Sequence, residues 1–123
     1  MGDAVKVTAF LDKFRTVAAT HGLTIWATQK NEDFRSETGA TNQDILQIIE
    51  SLRPRNYHSG PEADDDPGRP VGEVWKFSVE WCGYDLYMKL KLSMTPAAEC
   101  LSCHEREKEM AEPLRLKRPL GAR

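Results

Sequence analysis

Val74-Trp75-Lys76-Phe77-Ser78-Val79-Glu80-Trp81 and, shortly after it, Leu86-Tyr87-Met88-Lys89-Leu90-Lys91-Leu92 alternate between large apolar and polar side chains, in opposite phase. Successive strand side chains point to opposite faces of a sheet, so this parity predicts a hairpin. Trp75, Phe77, Met88 and Leu90 fall on its buried face, and Lys76, Tyr87, Lys89 and Lys91 on its wet face. Ala97 to His104 reads as a third strand, which adds His104 to the wet face. A tyrosine among several amines suits a polyanion.

Outward from the hairpin, Val7, Phe10, Leu11, Phe14, Val17 and Ala18 repeat at the spacing of one helix face, with His21-Gly22 as a stop. Leu23 to Thr28 reads as a short strand, and Gln29 to Gly39 as a loop or frayed turn. Thr41-Asn42-Gln43-Asp44 resembles a helix cap, followed by the stripe Ile45, Ile48, Ile49 and Leu52 until Pro54 ends the helix. This second helix is expected to cover Trp75, Phe77, Met88 and Leu90. The fold class is therefore α+β, a small antiparallel sheet with two or so N-terminal helices packed on one face.

With 123 residues, 40% of them hydrophobic and 29% charged, the chain suits one domain with a single core, spanning residues 1–123. Residues 54–72 combine four prolines with Gly60, Gly68 and the run Asp64-Asp65-Asp66, which predicts a long acidic surface loop. The three aspartates read as hydrated, since neighbouring side chains diverge and no calcium-loop spacing follows. Glu105 to Glu112 reads as a turn or short helix, and 113–123 as a basic tail. The start Gly2-Asp3-Ala4-Val5-Lys6 lacks a secretory pattern, and no apolar run approaches membrane-spanning length, so a cytoplasmic protein without a membrane partner is expected. A net charge of −2 argues against a general nucleic-acid coat. The imbalance is local: residues 1–72 carry 8 basic and 11 acidic side chains, residues 73–123 carry 9 and 8, so a nucleic-acid site must be shaped rather than diffuse.

Cys100-Leu101-Ser102-Cys103-His104 spells the pattern of covalent haem attachment. On a regular strand, positions three apart point to opposite faces, which disfavours haem and a redox pair alike. A zinc half-site would need Cys82 with His58 or His21 to complete it. Reduced thiols that partly fill the core are the simpler expectation, with no metal and no cofactor.

Four blocks in order carry a family resemblance: Tyr57-His58-Ser59-Gly60-Pro61 with its acidic loop, Val74-Trp75-Lys76-Phe77, Leu86 to Leu92, and Cys100 to His104. Over roughly residues 45–116 the chain resembles the MqsR-like toxins of bacterial type II toxin-antitoxin systems. The resemblance implies a RelE-like fold, an endoribonuclease that cuts mRNA without a metal, and masking by a cognate antitoxin expected to carry a helix-turn-helix domain. It also implies a site. Tyr87 and Lys89 match the family's tyrosine and the lysine that follows it, whereas His58, Lys76 and His104 stand where the better-known members have lysine, glutamine and lysine. Two positions are kept and three are changed.

The altered set still contains what the chemistry requires. Metal-free RNA cleavage needs a base for the 2′-hydroxyl, a cation for the pentavalent phosphate and an acid for the 5′-oxygen. His104 is assigned as general acid or base and His58 as its counterpart, because imidazole ordinarily titrates near neutrality. Tyr87 would orient substrate or relay a proton; Lys89, Lys76 and Lys91 would bind RNA phosphate. Two other classes use the same Lys/Tyr face without cleavage: a non-catalytic RNA-binding module, and a protein-interaction domain.

Overall fold

The structure is a computed structural model describing residues 2–64 and 66–115. Residues 116–123 of the basic tail, and Asp65 of the aspartate run, lie outside the described residues. Three helices, α1 (Asp3–His21), α2 (Gln29–Thr38) and α3 (Asn42–Ser51), accompany five strands, β1 (Leu23–Ile25), β2 (Tyr57–Ala63), β3 (Gly72–Trp81), β4 (Tyr84–Ser93) and β5 (Ala97–Glu105). The sheet order is β1-β5-β4-β3-β2, antiparallel except where β1 joins β5 in parallel. The protein is α+β, with its N-terminal helices against the sheet.

The hairpin forms at the expected register, Lys76 opposite Lys89 and Phe77 opposite Met88. Its two-residue turn, Cys82-Gly83, has φ of 50° and 82°, the two positive values that match the strands' right-handed twist. Trp75, Phe77, Met88 and Leu90 are buried on one face with Val7, Phe10, Leu11 and Phe14 of α1 and Ile45, Ile48 and Ile49 of α3. Phe10 stacks on Trp75 at 4.8 Å between ring centroids and reaches Phe77 at 6.3 Å. The aromatic cover therefore comes from α1 rather than from the second amphipathic helix alone. Burial of side chains this size stabilises by about 1.5–3 kcal/mol each, which makes this layer the main source of stability.

Two segments expected to be irregular are ordered. Gln29 to Thr38 form the helix α2: the Thr28 hydroxyl accepts from the Asn31 amide, and Gly39 closes the helix in the left-handed region at φ 76°. α2 carries few apolar residues, so its stripe is faint. What holds it is Asn31, buried on top of β5. Its amide nitrogen donates to the carbonyls of Trp26 (2.8 Å) and Leu101 (3.1 Å), and its oxygen accepts from the Cys103 amide (2.9 Å).

The first half of the proline-rich stretch is also structured. A single turn of 3-10 helix at Pro54–Asn56 leads into β2, which pairs with β3 through two register irregularities. Gly60 permits that pairing, because a Cβ there would lie 2.9 Å from the Val74 carbonyl oxygen and φ is +125°. Among the described residues after Glu105 there is no helix. No helix among the described residues is long and apolar enough to cross a membrane.

Candidate active site

Register places the polar side chains of the sheet's other face in rows. Ser78, Tyr87 and His104 form one row, Lys76, Lys89 and Ser102 the next, and Val74, Lys91 and Glu99 the third. Cross-strand partners project from the same face, so Lys76, Tyr87, Lys89 and His104 share it as expected. The face is not open. Beyond β5, residues 106–112 leave the α2 side, where Glu107 pairs with Lys30, and reach β2, where the Ala111 carbonyl meets His58. This crossing segment turns part of a sheet face into a cleft of about 1050 Å³ lined by His58, Lys76, Tyr87, Ser102 and His104 below and by residues 106–110 above.

The two histidines are held in the same way. Nδ1 of His58 lies 2.8 Å from the Ala111 carbonyl and Nδ1 of His104 lies 2.9 Å from the Glu105 carbonyl. A carbonyl only accepts, so each Nδ1 carries the proton and donates it. Each Nε2 then holds a lone pair in the neutral ring, or a second proton in the charged one. Neither Nε2 has a hydrogen-bond partner among the described residues.

Tyr87 lies beside His104, ring centroids 5.5 Å apart. Burial, reinforced by the Glu62 carboxylate, raises its phenol above the ordinary range, although the Lys76 and Lys30 charges pull the other way. The phenol is therefore a neutral donor at physiological pH. Lys76 is ion-paired to Glu62 of β2 at 3.2 Å. Lys89 stands between Lys76 and Ser102 with no carboxylate partner among the described residues, but it does not line the cleft.

Lys91 is a correction. It is on the same face, yet it is fully buried: its Nζ donates to Asp64 Oδ2 and to the Pro70 carbonyl, both at 2.7 Å. The loop that covers it is pinned by Arg69, whose guanidinium contacts Asp64 and Asp66 and lies 4.8 Å above the Trp26 ring. Asp64 is accordingly no hydrated loop residue, and Lys91, held beneath the loop, is no surface for phosphate. Parity assigns a side chain to a face but says nothing of what crosses above it.

Cys100 and Cys103 are free thiols in the core, as expected, but their facing departs from expectation. The β4–β5 register shifts after Lys89, pairing Leu90 with Cys100 and Met88 with Cys103, so Leu101 is an extra residue and both thiols turn to the same face. Both are fully buried in the core. Desolvation raises both thiols, Cys103 to about 12, so neither is a thiolate at neutral pH. Cys82 is exposed in the hairpin turn. Among the described residues no group of three or more His, Cys, Asp or Glu side chains is placed to hold a metal ion.

Sequence reasoning missed the contribution of Thr28, Gln29 and Lys30 at the start of α2, and of Arg106 just after β5, all of which line the cleft. The spacing from Thr28, a capping residue, to Gly39, a helix stop, is the signal that would have found the first three. A second groove, of about 700 Å³, lies between α1 and α3, but its arginines are spent on helix ends: Arg15 donates to the carbonyls of Ile49 and Leu52, and Arg53 to those of Glu50 and Leu52. No protein-family model, no curated protein and no solved structure matches this chain.

Proposed function

We propose that the protein is a toxin of a type II toxin-antitoxin system, an MqsR-like endoribonuclease that cleaves mRNA in the cytoplasm without a metal and is held in check by a cognate antitoxin. The observation that carries this reading is the convergence of His58, Lys76, Tyr87 and His104 on one cleft, both imidazoles oriented by main-chain carbonyls. A carbonyl at Nδ1 suits an acid-base pair, because Nδ1 donates in both protonation states while Nε2 exchanges the proton. In the reaction, one neutral histidine takes the 2′-hydroxyl proton as that oxygen attacks phosphorus. The other, charged, gives its proton to the departing 5′-oxygen, leaving a 2′,3′-cyclic phosphate and a 5′-hydroxyl. Lys76 and Lys89 offset charge on the pentavalent phosphate, and the Tyr87 phenol donates to a substrate oxygen.

Incubating the purified protein with single-stranded RNA in excess chelator, followed by end-group analysis, tests this directly. Cyclic or 3′-phosphate ends are expected. RNA that is bound in a salt-dependent way but remains uncut would shift the reading to a non-catalytic binding module.

A further inference from the structure

Three cations that line the cleft, Lys30, Arg106 and Lys108, belong to none of the roles above, and the first two are held by carboxylates. Lys30 stands in the first turn of α2, and Arg106 follows directly on β5, so they flank the end of the cleft that holds His104. Both are engaged by carboxylates of the crossing segment: Lys30 by Glu107, and Arg106 by Glu109 at 3.8 Å. The two cations are built differently. Arg106 is only 22% exposed and is also held by the Ser78 hydroxyl (3.3 Å) and by Asp85 (3.5 Å). Lys30 is 61% exposed and free to follow an anion.

The carboxylates sit where an anionic ligand would. Glu107 pairs with Lys30, and the two border, with His104, both the cleft and an adjoining hollow of about 170 Å³ whose other walls include Asp33, Glu37 and Glu105. The Lys30 hydrogen bond and charge hold the Glu107 carboxyl below its ordinary range, and the His104 charge acts in the same direction. Glu107 and Glu109 are themselves largely exposed, so exchanging them for another anion buries little new charge.

We propose that Lys30 and Arg106 form a phosphate clamp at the His104 end of the cleft, and that Glu107 and Glu109 occupy it until an RNA backbone displaces them. The clamp rests on the reading of the cleft as an RNA site. It adds to that reading two contacts that position substrate and a built-in competitor that weakens binding. Arg106 gives a planar fork for two phosphate oxygens, and Lys30 a mobile point charge.

The test uses a fluorescent single-stranded RNA with 2′-O-methyl groups throughout, which cannot be cleaved, and follows its binding by anisotropy across a salt series. Lys30→Ala and Arg106→Gln are each expected to weaken binding by about fivefold or more and to lower the slope of log K against log salt by roughly 0.7, the loss of one single-strand phosphate contact. Glu107→Gln removes the competitor and is expected to tighten binding by about twofold to threefold. Thermal melting identifies any loss that comes from unfolding of the Arg106 variant; Lys30, exposed at a helix start, supplies the variant that folds regardless. Wild-type affinity and slope for Lys30→Ala, with Glu107→Gln no tighter, overturn the clamp while leaving RNA cleavage by the wild type standing. If the wild type neither binds this probe nor cuts unmodified RNA, the clamp falls together with the reading beneath it.

Discussion

Lys89 and Lys91 lie two residues apart on one strand and project from the same face of the sheet, yet they meet opposite surroundings. At the Lys91 end Asp64 and Pro70 close over the amine, and an amine, a carboxylate and a carbonyl satisfy one another out of water. At the other end, residues 106–112 cross above the face and leave room beneath, so Lys76, Tyr87 and His104 border a cleft. The same strand chemistry thus becomes an internal ion pair in one place and a candidate site in the other. The cover decides, not the strand.

Lys91→Ala breaks that comparison most severely. It leaves the Asp64 carboxylate without its lysine under a closed loop, and the melting temperature should fall by roughly 10 °C, whereas RNA affinity measured well below the transition should stay within about twofold of wild type. A variant that melts normally but binds RNA weakly would return Lys91 to the phosphate surface.

The floor of the cleft depends on the bulge in β5, and the bulge on Asn31. Asn31→Ala removes three hydrogen bonds to buried main-chain groups and should cost about 2–3 kcal/mol in urea unfolding. Because the bulge sets the facing of His104 as well as of Cys103, thiol labelling under native conditions should speed up in the same variant. Unchanged stability would mean that water replaces the amide without loss.

Acid sharpens the contrast further. The Lys91 hydrogen bond holds the Asp64 carboxyl below the usual carboxylate range. A carboxyl lowered in the folded state contributes stability that is present above its unfolded value and is lost as pH falls through the folded one. Urea midpoints should therefore decline below about pH 4, and Lys91→Met should show a shallower decline over the same range. Parallel curves for the two proteins would assign the acid sensitivity to other carboxylates.

Lys89→Ala should have the smallest effect on the fold, within about 0.5 kcal/mol, because it faces another lysine and has no carboxylate partner among the described residues. Its expected signature is a salt slope for RNA binding reduced by roughly 0.7.

These contrasts also mark what was legible in the chain. The hairpin, its register and its two faces follow from period-two alternation between Val74 and Leu92, and α1 and α3 from strong apolar stripes with evident caps. α2 was not legible as a helix because its stability comes from Asn31 bonding to distant backbone rather than from a stripe of its own. β2 was hidden by Gly60 and Pro61, which read as loop residues but meet β3 at a close approach only glycine allows. The facing of Cys100 and Cys103 depended on a bulge, which alternation cannot reveal. Of the site, the residues that share a strand face were readable; Lys30, Arg106 and the crossing segment were not, because they are brought there by tertiary contact.

The central claim, that the cleft under residues 106–112 cleaves RNA through its histidines, is tested most directly by single-turnover cleavage with His104→Ala in chelator, with RNA binding measured on the same samples. The account predicts a rate lower by roughly two orders of magnitude or more, at nearly unchanged affinity and melting temperature. Wild-type cleavage by the variant would contradict it.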